Sequence, residues 1–414
     1  MKNNIISIIG LGYVGLPLAK EFSSKFHTIG YDINKNKINK LKKNKNYKKI
    51  FFTNSLKNIK KSNIKIICVP TPVNANKKPN LSLLKKASSN VGRFLNNKDI
   101  IIFESTVYPG VTEEICIPIL EKSSKMKSIE DKYSNGFFYG YSPERINPGD
   151  TKHSISKVIK VVSGNCSHSL KMISKIYSSI IKAGIYKAKN IKTAEAAKII
   201  ENVQRDVNIA LINELALLFN KMNINTNDVL EAASTKWNFS NYSPGLVGGH
   251  CIGVDPYYLS FKARELKFHP LMIESGRKIN DNMAIEISRV FLKSLNNNIG
   301  NKKIRNILIM GLAFKENCED LRNSKVYDMY IYLTKKHIKV DIFDPVVDKK
   351  EAKLIYDINL LHSFPNKIYD GVIICVKHNV FHKLGAKKIN EIVRKKGVIL
   401  DLKNLFPNED YLRI

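Results

Sequence analysis

Near the N-terminus, residues 4–9, NIISII, form a short apolar run that stops at Gly10-x-Gly12-x-x-Gly15. Helix-like text, LPLAKEF, follows at once, and some twenty residues on HTIGYDIN makes a second apolar run ending in Asp32. Strand, glycine turn, helix and a second strand closed by an acid is the order of a βαβ unit built around a dinucleotide. The glycines let the backbone approach a pyrophosphate, and the helix N-terminus offers unpaired N–H groups. The acid accepts from a ribose 2′-hydroxyl. Gly10, Gly12 and Gly15 alone could be a structural turn. With strand, helix and acid all in place, dinucleotide binding is the expectation. Asp32 would repel a 2′-phosphate, so NAD is expected over NADP.

More strand-like runs end in polar residues. IKIICVPTPV ends in Pro-Thr-Pro, DIIIFESTVYPG carries Glu-Ser-Thr, and NGFFYGYSPERINPG follows. Polar groups just past the carboxyl ends of parallel strands mark the ligand crevice of a doubly wound sheet, although each Ser or Thr could equally cap its own turn. Residues 193–222 read as one long helix with Thr193 as its N-cap, about 45 Å in length. That length suits a spine between two domains. Further helical text runs to about residue 296. The pattern then returns: a strand ending in Gly311, a helix, and a strand ending in Asp344. Only one fingerprint glycine remains, so this second α/β unit is not expected to bind NAD in the usual way.

The chain's 414 residues are 43% hydrophobic, enough for real cores, and no apolar run approaches a membrane span. With no secretory leader pattern, a soluble cytoplasmic protein without membrane insertion is expected. The net charge of +32 suggests nucleic acid, but only ten of the 68 basic residues are Arg, and the lysines are spread in Lys/Asn/Ile-rich text. A generally basic surface favouring anionic ligands is the simpler reading, and no nucleic-acid partner is expected. The six cysteines form no C-x-x-C pair, so no metal site is expected.

Four groups could do chemistry. Lys198 and Asn202 lie four apart on the spine helix and share a face. Aimed at a ligand they could hold an oxyanion; alone, the pair reads as a solvated one. Cys251 and Asp255 are four apart in GLVGGHCIGVDPYYL. A glycine pair beside Cys251 suggests close approach by backbone or ligand. Nearby positive charge, with Lys198 a candidate source, would lower its pKa from ~8.5 and make it a nucleophile. His250 is adjacent but need not face the same way. Glu144 and Thr106 sit in YSPERINPG and ESTVYPG.

Taken together, GLGYVGLPLA, VPTPV, ESTVYPG, YSPERINPGD, AEAAKIIEN, GLVGGHCIGVDPYYL and GLAFKENCEDLRNS run the length of the chain. In these motifs the chain resembles the UDP-glucose/GDP-mannose dehydrogenase family, the nucleotide-sugar 6-dehydrogenases. The wording is most similar to the UDP-N-acetylglucosamine/UDP-N-acetylgalactosamine branch of Vi-type and O-antigen polysaccharide synthesis. The resemblance implies an α/β fold of two Rossmann-like doubly wound domains joined by a long central helix and a helical dimerisation region. It divides the chain at 1–192, 193–298 and 299–414. It implies an NAD-dependent four-electron oxidation of a sugar C6 alcohol through aldehyde, thiohemiacetal and thioester to carboxylate.

Carried over by motif, Cys251 is the nucleophile, Lys198 and Asn202 stabilise oxyanions, and Glu144, Asp255 and Thr106 handle protons and water. Cofactor contacts fall on Gly10, Gly12, Tyr13, Val14, Gly15, Asp32, Lys37, Thr71, Thr106, Val254 and Arg322. Substrate contacts fall on Glu144, Arg145, Ile146, Asn147, Pro148, Lys198, Asn202, Gly248 and Lys315. The implied assembly is a homodimer. One departure bears on the sugar: UDP-glucose members carry a second glutamate four residues after the position of Glu144, and here that residue is Pro148. This argues for a UDP-N-acetylhexosamine. UDP-N-acetylmannosamine, UDP-glucose and GDP-mannose stay open, as do a two-electron dehydrogenase needing no cysteine and a non-catalytic nucleotide binder.

Overall fold

The computed structural model describes residues 4–145, 154–300 and 306–414. They form two compact units, Met1–Glu201 with Tyr257–His269 and Asn202–Pro256 with Pro270–Ile414. The first is built on strands β1 (Ile5–Ile9), β2 (His27–Tyr31), β3 (Ile50–Thr53), β4 (Ile64–Ile67), β5 (Ile100–Phe103), β6 (Phe138–Tyr141), β7 (Lys160–Gly164) and β8 (Ile185–Lys187). Their order in the sheet is β3-β2-β1-β4-β5-β6-β7-β8. β6 and β7 pair antiparallel; the other neighbours are parallel. The first six strands have the order of a dinucleotide-binding sheet, in which ligands bind beyond the strands' carboxyl ends.

Isoleucine-rich strands suit a sheet buried on both faces, and Ile6, Ile8, Ile66 and Ile102 are wholly buried with Phe22, Phe138 and Tyr177. Charged residues are buried in this unit too. Lys65 in β4 is fully buried, its Nζ 2.6 Å from Asp99 Oδ2 and 2.6 Å from the Ser62 carbonyl. A buried lysine needs such partners to offset its lost hydration.

The second unit holds β9 (Asn306–Met310), β10 (Lys339–Phe343), β11 (Tyr369–Ile374) and β12 (Val393–Asp401) in the all-parallel order β10-β9-β11-β12. Its core packs Phe291, Ile307, Ile309 and Leu400 with Met283 and Ile287 of the helix Leu271–Ile299.

The long helix runs Ile191–Met222, two residues earlier than the sequence pattern indicates. Thr193 is not its cap: the Thr193 N–H donates to Asn190 Oδ1 at 2.8 Å, so Asn190 closes the first turn. Helices Thr226–Ser234 and Asp255–Glu265 follow, and residues 235–254 between them, which hold the glycine-rich motif, lie outside helices and strands.

Candidate active site

Each unit carries some of the candidate residues. In the first, β1 ends at Gly10, whose φ of +93° suits glycine. A Cβ on Gly15 would stand 1.9 Å from the Gly10 carbonyl oxygen, so turn and helix meet backbone to backbone. A Cβ on Gly12 would meet no atom within 4 Å. That open side leaves room for a pyrophosphate near the N-terminus of the helix Gly15–Ser23. Asp32, just past β2, accepts from the N–H groups of Leu11 and Asn34 at 3.0 Å each. Its side chain stays 13% exposed, beside Lys37 Nζ at 3.2 Å. The residues present therefore fit a dinucleotide: a held acid with a free edge, an open glycine and a helix end.

Beyond β4 and β5, two loops are tied together. Thr71 Oγ1 donates to the Thr106 carbonyl at 2.6 Å, Ser105 Oγ to the Val69 carbonyl at 2.7 Å, and the Tyr258 hydroxyl donates to the Thr71 carbonyl. The second loop is also clasped from the long helix. Glu195, wholly buried, accepts from the Gly110 N–H at 2.6 Å and the Thr112 N–H at 3.0 Å. Burial pushes its carboxyl up to about 7, despite these donors.

Glu144 is buried past β6. It lines a small cleft with Val14, Leu18, Glu104, Arg145 and Lys160. Lys160 Nζ donates to Glu104 Oε2 at 2.9 Å and to the Pro143 carbonyl at 3.0 Å, and the Tyr177 hydroxyl donates to Glu104. The backbone before Glu144 is thus pinned by a buried lysine that is itself paired. Arg145 donates to the Ile159 carbonyl at 3.0 Å and pairs with Glu201 at 2.7 Å. Ile146, Asn147 and Pro148 lie outside the described residues. Lys198 is 6% exposed, so it is a buried lysine and not half of a solvated pair.

In the second unit the cysteine segment is held at three places. Asn213 takes both backbone groups of Gly245, its Nδ2 donating to the carbonyl at 3.0 Å and its Oδ1 accepting from the N–H at 2.7 Å. Asn323 does the same for Gly249, its carbonyl accepting at 3.2 Å and its Nδ2 donating at 3.3 Å. A Cβ on Gly248 would lie 2.5 Å from that carbonyl, which explains the glycine pair: another loop packs directly on it. At the far end Asn202 Nδ2 donates to Asp255 Oδ2 at 2.5 Å, both residues buried. The N–H groups of Val254 and Asp255 donate to the Cys251 carbonyl at 3.0 and 2.8 Å, so Cys251 opens the turn into the helix Asp255–Glu265.

The cysteines separate by environment. Burial raises the thiol of Cys68, with Glu104 adding to it, and lifts Cys116 and Cys375 to about 12 each. Cys166 caps the helix Ser167–Ser178. Cys251 and Cys318 are half-buried. His250 Nε2 lies 4.0 Å from Asp320, and burial with the Arg322 charge holds the ring below its ordinary pKa. Arg322 forks onto Asp320 at 2.9 and 2.6 Å. Val254 is buried and Lys315 half-buried. Sequence reasoning missed Asn213, Asn323, Glu195 and the Glu104–Lys160 pair. Asn213 alone carried a signal, since it lies eleven residues, three helical turns, from Asn202.

Three matches to one family cover most of the chain. They are described as the UDP-glucose/GDP-mannose dehydrogenase family NAD binding domain over residues 4–181, its central domain over 192–282 and its UDP binding domain over 308–408. The UDP-N-acetyl-D-glucosamine 6-dehydrogenase of Pseudomonas aeruginosa is 46% identical over 421 residues, covering 99% of both chains. The enzyme of the same name from Salmonella typhi is 46% identical over 416 residues, covering 98% of this chain and 97% of its own. Among solved structures, a UDP-D-ManNAc dehydrogenase from Pyrococcus horikoshii superposes with a TM-score of 0.87 at 28% identity, covering 99% of this chain and 98% of its own.

Proposed function

Since the chain belongs to the UDP-glucose/GDP-mannose dehydrogenase family and is an NAD-dependent oxidoreductase, we propose that it oxidises C6 of UDP-N-acetylglucosamine to the uronic acid. The observation that carries the sugar assignment is 46% identity over nearly the full length to two enzymes of that name, against 30% to the UDP-N-acetyl-D-mannosamine dehydrogenase of Pyrococcus horikoshii. The three-part division at 192/193 and 298/299 belongs to the same reading, supported by the three segments in which the family matches. So do a cytoplasmic location, supply of a surface polysaccharide, and a homodimer through the central helices. Exposed Leu211, Leu218 and Met222 on the long helix support the homodimer.

Bound NAD⁺ supplies the hydride acceptor for two successive oxidations. Gly10, Gly12, Tyr13, Val14 and Gly15 hold its pyrophosphate side and Asp32 its ribose, with Lys37, Thr71, Thr106, Val254 and Arg322 as further contacts. Once the alcohol is an aldehyde, Cys251 Sγ adds to its carbon. A C–S bond forms and the carbonyl oxygen gathers negative charge. The Lys198 ammonium and the Asn202 amide stabilise that charge, and Asp255 fixes the amide by accepting from its Nδ2. Loss of a second hydride leaves a thioester. Water then adds to it, Glu144 or Asp255 taking the proton with Thr106 assisting, and the C–S bond breaks to return the thiolate. Glu144–Pro148, Gly248 and Lys315 position the sugar nucleotide.

The test is turnover of purified protein with NAD⁺ and UDP-N-acetylglucosamine, its galacto and manno epimers, UDP-glucose and GDP-mannose. Two NADH per UDP-N-acetylglucosamine, with the uronic acid found by mass, is the expected result. Preference for another sugar reassigns the substrate, and one NADH per sugar removes the thioester route.

A further inference from the structure

The strongest unassigned feature is the buried polar chain behind Gly245. Asn213 spends its whole amide on ordering: both backbone groups of Gly245, and the Asn280 Oδ1, to which its Nδ2 donates at 2.8 Å. Asn280 Nδ2 in turn donates to the Asp206 carbonyl at 2.9 Å and to Asp206 Oδ1 at 2.7 Å. Asp206 Oδ1 also receives Arg277 Nη1 at 2.6 Å, and Arg277 Nη2 reaches Asp281 at 2.5 Å. Asn213, Asn280, Asp206 and Arg277 are all buried. Amides and an Asp–Arg ion pair buried this deep are costly unless they bond to one another, and the bonds they make favour one arrangement.

Gly245 needs that arrangement held. Its φ is +145°, and a Cβ there would lie 2.5 Å from Lys403 Nζ, so the segment turns in a conformation few residues adopt. The helix supplies the other end too. Asn202, Asp206 and Asn213 are spaced by four and seven residues, which puts them on one helical face. One face of one helix therefore grips Gly245 through Asn213 and Asp255 through Asn202, with Cys251 between.

We infer that Asn213 is a positioning residue for Cys251: its amide fixes where the cysteine segment begins, and so where the thiol is presented. The inference rests on the reading of Cys251 as nucleophile. Asn213 touches neither substrate nor cofactor in this role and acts through Gly245. A misplacement of the order of 1 Å at a reacting atom costs roughly 10²-fold in rate.

The test compares wild type with Asn213→Ala and Asn280→Ala. The second variant leaves both bonds to Gly245 in place, removes the amide's outer partner together with the two Asn280 bonds to Asp206, and carries the test if the first does not fold. Measured are the melting temperature, kcat with UDP-N-acetylglucosamine, KM for NAD⁺, and substrate protection of Cys251 against iodoacetamide. Asn213→Ala should lose roughly 10²-fold in kcat and lose protection, with KM for NAD⁺ nearly unchanged. Asn280→Ala should move the same way by less. A merely structural asparagine would lower the melting temperature and leave kcat and protection native in the folded fraction, and that result overturns the inference. If alkylation of Cys251 leaves the wild-type enzyme active, the nucleophile reading falls and the inference with it.

Discussion

Two glycines of one fingerprint should fail in opposite ways when given a methyl group. At Gly15 the new Cβ would stand 1.9 Å from the Gly10 carbonyl oxygen, 3.1 Å from its carbon and 3.2 Å from Cys68 Cβ. Gly10 cannot retreat, because its own Cβ direction is 2.8 Å from the Cys68 carbonyl oxygen at a φ of +93°. Overpacking costs ~1–3 kcal/mol even where side chains can yield. Here backbone meets backbone, so Gly15→Ala should cost about 3 kcal/mol or more, a fall of about 10 °C in Tm for a unit of this size. At Gly12 no atom lies within 4 Å, so Gly12→Ala should hold Tm within about 2 °C. Its methyl group occupies the path of the pyrophosphate, and NAD⁺ affinity should fall by roughly 30-fold, about 2 kcal/mol. Thermal unfolding by circular dichroism and NAD⁺ titration by calorimetry read both quantities. At equal concentration NAD⁺ should raise Tm less in Gly12→Ala than in the wild type. Native affinity in Gly12→Ala would refute the placing of the pyrophosphate, and native Tm in Gly15→Ala would refute the packing of helix on turn.

Asp32→Asn keeps an acceptor for the Leu11 N–H but removes the charge and releases Lys37 from a 3.2 Å pair. The preference for NAD⁺ over NADP⁺ in kcat/KM should drop by about tenfold or more, and an unchanged ratio would show that selectivity lies elsewhere. Cys251→Ser should abolish uronic acid formation while NAD⁺ binding survives, since a hydroxyl offers no thiolate near neutral pH; native-rate carboxylate formation refutes the nucleophile. Glu195 keeps its proton up to about 7 in the folded chain against 4.5 ordinarily. Between those values the unfolded chain has released a proton that the folded chain retains, so this group makes stability fall as pH rises from about 4.5 to about 7 and adds no slope beyond. Glu195→Gln should flatten that part of the profile in urea-unfolding midpoints measured from pH 4 to 8, and parallel profiles would refute the assignment.

What the sequence makes legible is whatever depends on neighbours along the chain. β1, the glycine turn and Asp32 are local, and they lie where the spacing puts them. The long helix is local too, although its first turn is not: Asn190, in ordinary loop text, sets the start that Thr193 was expected to set. Lys65 sits inside an isoleucine run, and nothing in IKII announces Asp99, thirty-four residues on, as the partner that lets it be buried. Lys198 reads as a surface residue because burial is a property of what packs on a helix, not of the helix. The glycine pair beside Cys251 suggests close approach. What approaches, the backbone of Asn323, is seventy-four residues away in sequence.

The two α/β units share a backbone device and differ in what closes it. Gly10 and Gly311 both have φ of +93°, and the next N–H in each case reaches the acid past the second strand, Leu11 to Asp32 at 3.0 Å and Leu312 to Asp344 at 2.6 Å. Asp344 goes further. It also accepts from the Ala313 N–H at 3.0 Å and the Val346 N–H at 2.9 Å, and His378 Nε2 lies 3.3 Å away, with acid and imidazole wholly buried. Burial works against its charge, yet His378 and the N–H donors hold its carboxyl below the ordinary value. An acid whose oxygens are already engaged and shut from solvent has no edge left for a ribose hydroxyl. Asp32 also accepts from two N–H groups and lies beside Lys37, but its side chain stays partly exposed to solvent. The loss of two fingerprint glycines from the second unit is therefore one half of the difference; His378, far along the chain and silent in any motif, is the other.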